Sequence, residues 1–148
     1  MVELESAIFG ACAEQIARAA GVPAQTLRDP LHLHGRVWRV LVLTRDGAET
    51  VGERGGTVDC DTLVLPADCA VPPQLRAAQV IDCGLSLRDT LTVSSMEQGL
   101  LCLQRRIVTL SGALLEPQEL AGWDALAALG AEPTLLAAGL RLLHDETV

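Results

Sequence analysis

A short, unbroken apolar run closed by turn residues constrains this chain more than any other feature. In DTLVLPAD, residues 61–68, Leu63-Val64-Leu65 run straight into Pro66. Such a run, bounded by breakers, fits a strand buried on both faces, often a parallel one. Val80 and Ile81 restart a strand that breaks at Gly84. The interval of about 14 residues between the runs is near the minimum for a βαβ crossover. Pro72-Pro73 stand inside it, before a short helical stretch predicted over Gln74 to Ala78.

The stretch 79–112, QVIDCGLSLRDTLTVSSMEQGLLCLQRRIVTLSG, is dense in further strand signals. In Asp89 to Ser95, Leu91 and Val93 point one way and Thr90, Thr92 and Ser94 the other, the alternation of a half-exposed antiparallel strand. Glu97-Gln98-Gly99 reads as a turn. Leu100 to Leu110 carries one or two strands, with Leu101, Leu103, Ile107 and Leu110 as core candidates. Ser111-Gly112 is another turn, and the segment 114–119 a short edge piece ended by Pro117.

On either side the pattern is helical or strand-like. Val2 to Ala20 predicts a helix, because Leu4, Ile8, Cys12, Ile16 and Ala19 recur at spacings of three and four. Glu3 and Glu5 suit its start, and Gly21 and Pro23 its stop. Residues 24–35 read as a connection. Arg36 to Thr44 (RVWRVLVLT) reads as a strand ending in a turn at Arg45-Asp46-Gly47-Ala48. The next segment, through Asp59, is either a hairpin arm or a crossover. Helices are predicted over Trp123 to Leu129, closed by Gly130, and over Pro133 to His144.

Length and composition narrow the class. At 148 residues the chain is one domain's worth, and an apolar fraction of 49% with 20% charged residues is that of a folded core. Mean hydropathy is +0.32, yet no apolar run reaches the roughly 18–20 residues a membrane span needs. Surplus apolar surface of this kind is expected to be covered by a second copy, as a homodimer. The acidic start, MVELE, does not resemble a secretory leader. Five cysteines with no CxxC pair point to reduced thiols and a cytoplasmic setting. A net charge of −8 and one Phe, two Trp and no Tyr argue against nucleic acid and against an anionic membrane surface. All 11 basic side chains are arginine. Without lysine there is neither a Walker A loop nor Schiff-base chemistry, and no cofactor is expected.

Residues 61–95 resemble the Mur ligases, the ATP-dependent amino-acid ligases of peptidoglycan synthesis. The resemblance lies in DTLVLPAD, a spacer of hydrophobic and small residues, and VIDCGLSLRDTLTVSS, with Cys83 where an aromatic residue would be expected before Gly84-Leu85. The terminal helix PTLLAAGLRLL is more loosely similar to one in those domains. The family's P-loop and carbamylated lysine have no counterpart here, nor do its magnesium-binding Glu and His, so no catalytic residue is carried over. What the resemblance implies is half of a Rossmann-like ATPase domain without the ATPase machinery, an accessory or binding module related to the bacterial cell wall. The fold expected is one α/β domain of three layers, its mixed sheet holding parallel strands and a small antiparallel part.

Candidate site residues follow from the strand ends. Asp68 and Cys83-Gly84 end two adjacent parallel strands, where open α/β sheets bind ligands. Asp68 could hold a ribose hydroxyl or a metal. Gly84 could let a ligand approach the backbone, or simply supply a positive φ. Arg105 and Arg106 form an anion-facing patch or a charged, guarded strand edge. An alternative reading is a small enzyme using Asp68, Cys83 and Arg105 or Arg106. His32 and His34 would share a face if on a strand, half of a metal site, although an exposed connection is the ordinary reading and no metal is expected. In Asp59-Cys60-Asp61 the flanking carboxylates would blunt the thiol.

Overall fold

The computed structural model describes residues 6–54 and 56–144. The first half holds β1 (Ser6–Phe9), α1 (Ala13–Ala20), β2 (Gln25–Leu27), a 3-10 turn (Pro30–Leu33), β3 (Val37–Leu43), α2 (Arg45–Arg54) and β4 (Val58–Pro66). There follow β5 (Leu75–Cys83), β6 (Leu91–Ser95), β7 (Leu100–Leu103), β8 (Ile107–Val108), β9 (Leu114–Leu115) and β10 (Gln118–Leu120). Two helices close the described chain, α3 (Ala125–Leu129) and α4 (Ala131–His144).

Eight strands make one sheet in the order β10-β7-β6-β5-β4-β3-β1-β2, and β8 pairs with β9 in a separate ribbon. The six strands from β2 to β6 run parallel. β7 and β10 run antiparallel to their neighbours. This is the mixed, Rossmann-like α/β arrangement expected from the sequence. The runs 61–66 and 79–83 lie side by side, Leu63 opposite Val80 and Pro66 opposite Cys83.

Two cores sandwich the sheet. On one face α1 and α4 bury Ile16, Leu135, Leu136 and Leu142 against Ile8, Val40, Val42, Val64 and Ile81. On the other, α2 and the 3-10 turn bury Ala48, Val51 and Leu33 against Phe9, Trp38, Leu41 and Leu63. Each large side chain buried this way stabilises the fold by about 1.5–3 kcal/mol relative to exposure. Helix α4 rests so close to the sheet that a Cβ at Gly139 would lie 2.9 Å from Val64 Cγ1. Among the described residues no helix is long and apolar enough to cross a membrane.

Several local expectations are corrected. The helix predicted from Val2 starts only at Ala13. Residues 6–9 form a strand instead, and residues 2–5 of that expectation lie outside the described ones. Ala7, Ile8 and Phe9 are buried between two parallel neighbours, while Cys12, supposedly on the helix's apolar face, is exposed. The turn expected at Arg45–Ala48 is the first turn of α2, and its cap is Thr44, whose Oγ1 accepts from Gly47 N at 3.3 Å. The segment after β3 is therefore a helical crossover, not a hairpin arm. No helix forms over Gln74–Ala78, because Leu75–Ala78 begin β5. Residues 67–74 must run back the length of a 9-residue strand. Only extended chain, at about 3.3 Å per residue, covers that distance, whereas a helix rises about 1.5 Å.

Candidate functional site

The strand order places a reversal between β1 and β3. From β1 the chain moves outward to β2, then crosses back and proceeds through β3, β4 and β5 in the other direction. At such a switch point the loops after the two central strands diverge to opposite faces, leaving a crevice beyond the strands' carboxyl ends. Here the loop after β1 is Gly10-Ala11-Cys12, leading into α1, and the loop after β3 is Thr44, leading into α2.

Glycine makes the two loops meet. Gly10 has φ 130°, and a Cβ there would collide with Thr44 Oγ1; a Cβ at Gly47 would collide with the Phe9 carbonyl oxygen. Asp46 then clasps them. Its two carboxylate oxygens each accept from Ala11 N at 3.1 Å, and Oδ1 accepts from Thr44 Oγ1 at 2.5 Å. Burial pushes the Asp46 pKa up, but hydrogen bonds from Thr44, Ala11, its own N–H and Gly47 more than offset this and leave it lowered. Cys12 follows in the left-handed region at φ 63°, the positive-φ residue other than glycine among those described.

The resulting cleft has a volume of about 580 Å³. One wall is the loop and first turn of α1, from Gly10 to Gln15. The other is a stripe of α2 at helical spacing, Asp46, Thr50 and Arg54, with Thr26 and Arg28 after β2 completing it. Arg28 is paired with Glu14 at 2.9 Å. Arg54 has no carboxylate partner among the described residues, and the Cys12 thiol is exposed. The cleft thus offers a free guanidinium, a hydroxyl and a thiol around a backbone turn.

Of the residues named from the sequence, Asp68, Cys83 and Gly84 do come together, in a second depression of about 450 Å³ at the ends of β4 and β5. Arg45 and Glu132 join them. Arg45 donates to Asp68 at 2.9 and 3.2 Å and to Glu132 at 2.6 Å, so Asp68 is engaged and its pKa is lowered by that hydrogen bond. Cys83 is buried, its Sγ facing the Leu135 carbonyl at 3.7 Å, and burial pushes its pKa well up, assisted by Asp82 and Asp89. Gly84 is not in a positive-φ conformation; it is needed because a Cβ would strike the Asp89 carboxylate.

Neither Arg105 nor Arg106 lines this depression. Arg105 donates to the Arg88 carbonyl at 2.6 Å and Arg106 pairs with Glu116 at 2.7 Å. The five sequence candidates therefore do not converge on one cleft. His32 and His34 belong to the 3-10 turn and its cap rather than a strand, and His34 Nδ1 contacts the Thr57 carbonyl at 3.0 Å. Among the described residues no group of His, Cys, Asp and Glu could hold a metal ion. Cys60 is buried and its pKa is pushed up to about 12, first by burial and then by Asp61 and Asp59.

Neither the loop Gly10–Cys12 nor Arg54 stands out as a site in the sequence, where the helix expected over 2–20 hides the loop and places Cys12 on its apolar face. The signal that could have found it is SAIFG, a four-residue apolar run stopped by glycine. Fold and cleft together define a doubly wound α/β domain, its first five strands in the order 2-1-3-4-5, with a crevice at the switch point. Comparison with known proteins returns no match: no family model, curated protein or solved structure is significantly similar to the chain.

Proposed function

We propose that this chain is a non-catalytic binding module that takes a small acidic ligand in the crevice between the loops after β1 and β3. The observation that carries the proposal is the cleft at the strand-order reversal with Arg54 unpaired on its wall. Guanidinium meets carboxylate or phosphate with two parallel hydrogen bonds, and Thr50 and the α1 turn lie within the same cleft. Binding rather than turnover is favoured by how the charged groups are used. Asp46 is committed to holding the loops together, and Arg28 to Glu14. The likeness of residues 61–95 to Mur ligases, with lysine excluded, makes adenine and uridine nucleotides the first ligands to test.

Isothermal titration of the full chain against ADP, MgATP, UDP-sugars and simple dicarboxylates tests this. A ligand is expected whose affinity falls by at least about tenfold in Arg54→Gln, as loss of a charge-assisted hydrogen bond requires. Arg106→Gln, on the far side of the sheet's reversal, should leave it unchanged. Binding indifferent to Arg54→Gln would displace the site from this cleft, and MgATP turnover would remove the non-catalytic reading.

A further inference from the structure

Between β5 and β6, residues 84–90 form a loop held by hydrogen bonds at Gly84, Ser86, Arg88, Asp89 and Thr90 that yet turns two leucines into water. Leu85 is 75% exposed and Leu87 87%. Isolated exposed apolar residues are ordinary on protein surfaces. These two differ because the residues on either side of each are held by hydrogen bonds. Asp89, itself buried, accepts from Ser86 N at 2.9 Å, and Asp89 N donates back to the Ser86 carbonyl at 3.0 Å. Gln104 reaches across from the strand side to donate to the Ser86 and Asp89 carbonyls at 3.2 and 2.8 Å. Asp82 Oδ1 fixes the far end, accepting from both N and Oγ1 of Thr90.

Charge singles out the same corner. The chain carries −8 overall, but Leu87 is followed by Arg88, and Arg105 lies against the Arg88 carbonyl. Neither arginine has a carboxylate partner among the described residues. Behind Leu85 opens the depression of about 450 Å³, whose apolar wall includes Ala67, Cys83 and Leu135, and whose carboxylates are already engaged, Asp68 and Glu132 by Arg45 and Asp89 by the loop itself. Two exposed leucines on a hydrogen-bonded loop, a pocket beside one of them and, beside the other, two arginines without a carboxylate partner among the described residues make a complementary surface for something apolar and negative.

We propose that this loop is a docking epitope for an acidic, leucine-bearing segment of a partner protein. The segment inserts an apolar side chain beside Leu85, packs on Leu87, and sets its carboxylates against Arg88 and Arg105. Because the loop is already ordered, little conformational freedom is lost when it binds, which favours anchoring at so small a patch. A second copy of this chain fits less well, since two bodies of charge −8 oppose one another across the rest of the contact. An anionic membrane meets the same repulsion. This surface is distinct from the cleft at β1 and β3 and does not depend on a ligand there.

Panning a displayed library of random 16-residue segments against the full chain tests the proposal, with an enriched synthetic peptide then measured by fluorescence anisotropy. Enriched peptides are expected to combine Asp or Glu with Leu, Ile or Phe. Their affinity should fall by at least about tenfold in Leu87→Ser and in Arg88→Glu, and should weaken with added salt. Both substituted side chains are exposed, so neither variant is expected to unfold. No enrichment, or peptides indifferent to both variants, overturns it. So does Leu87-dependent self-association in sedimentation, which makes a second copy the occupant, or Leu87-dependent binding to phosphatidylserine vesicles.

Discussion

Gly47 and Gly52 occupy the same helix and should answer to alanine in opposite ways. Nothing lies within 4 Å of a Cβ at Gly52, so Gly52→Ala is expected to stabilise by about 1 kcal/mol through helix propensity alone. At Gly47 the same gain meets the Phe9 carbonyl, and a net loss of about 2 kcal/mol is expected. Urea midpoints at unchanged slope check both. Asp46 sets a pH dependence. Its folded pKa is lowered, so its contribution is fully present above the unfolded value of about 3.9 and is lost as pH falls through the folded one. Asp46→Asn should accordingly flatten the decline of stability below about pH 4, seen in denaturant midpoints from pH 7 to 2. A third outcome concerns the thiols. Cys12 is exposed while Cys60 and Cys83 are buried, so alkylation near neutral pH should reach Cys12 first and the buried pair only through unfolding. Early labelling of Cys83, read by peptide mass spectrometry, would instead favour chemistry at the strand ends.

Among the elements, α4 packs closely on the sheet through a glycine, Gly139. Gly139→Ala adds a methyl 2.9 Å from Val64 Cγ1 and 3.4 Å from Leu91 Cδ1. Valine is stiff about χ1 and yields poorly, so crowding of about 1–3 kcal/mol should outweigh the gain in helix propensity. Combining it with Val64→Ala should cost less than the sum of the two changes, a coupling a double-mutant cycle measures. The same scale shows why some elements were readable and others were not. β3 and β4 announced themselves as VLVL and LVL because both faces are covered and every side chain must be apolar. β1 is just as buried, but four residues are too few to overcome a helical spacing that happened to continue through Cys12. The first part of β5 alternates between buried and exposed, since cover on the second face runs out there, and next to two prolines it read as helix.

For the whole molecule, protection should follow the layers. β1, β3 and β4 are flanked on both edges and covered on both faces, so their amides are expected to exchange only by global unfolding. The β8–β9 ribbon and the edge strand β10 should exchange by local opening, and hydrogen exchange with mass spectrometry separates the two regimes. Of the candidate site, the nearness of Asp68 to Gly84 was visible in advance, because two adjacent parallel strands end together. The separation of Arg105 and Arg106 from them was not, since each guanidinium found a local partner the sequence does not rank. Residue chemistry alone determined that this chain is a mixed α/β fold without lysine-dependent phosphate chemistry: apolar runs dictate burial, and an absent amine is absent in any conformation. Where the crevice lies was decided only in three dimensions. It depends on the chain returning past β1 to form β3, and the direction of a crossover is set by packing among distant segments rather than by any residue within it.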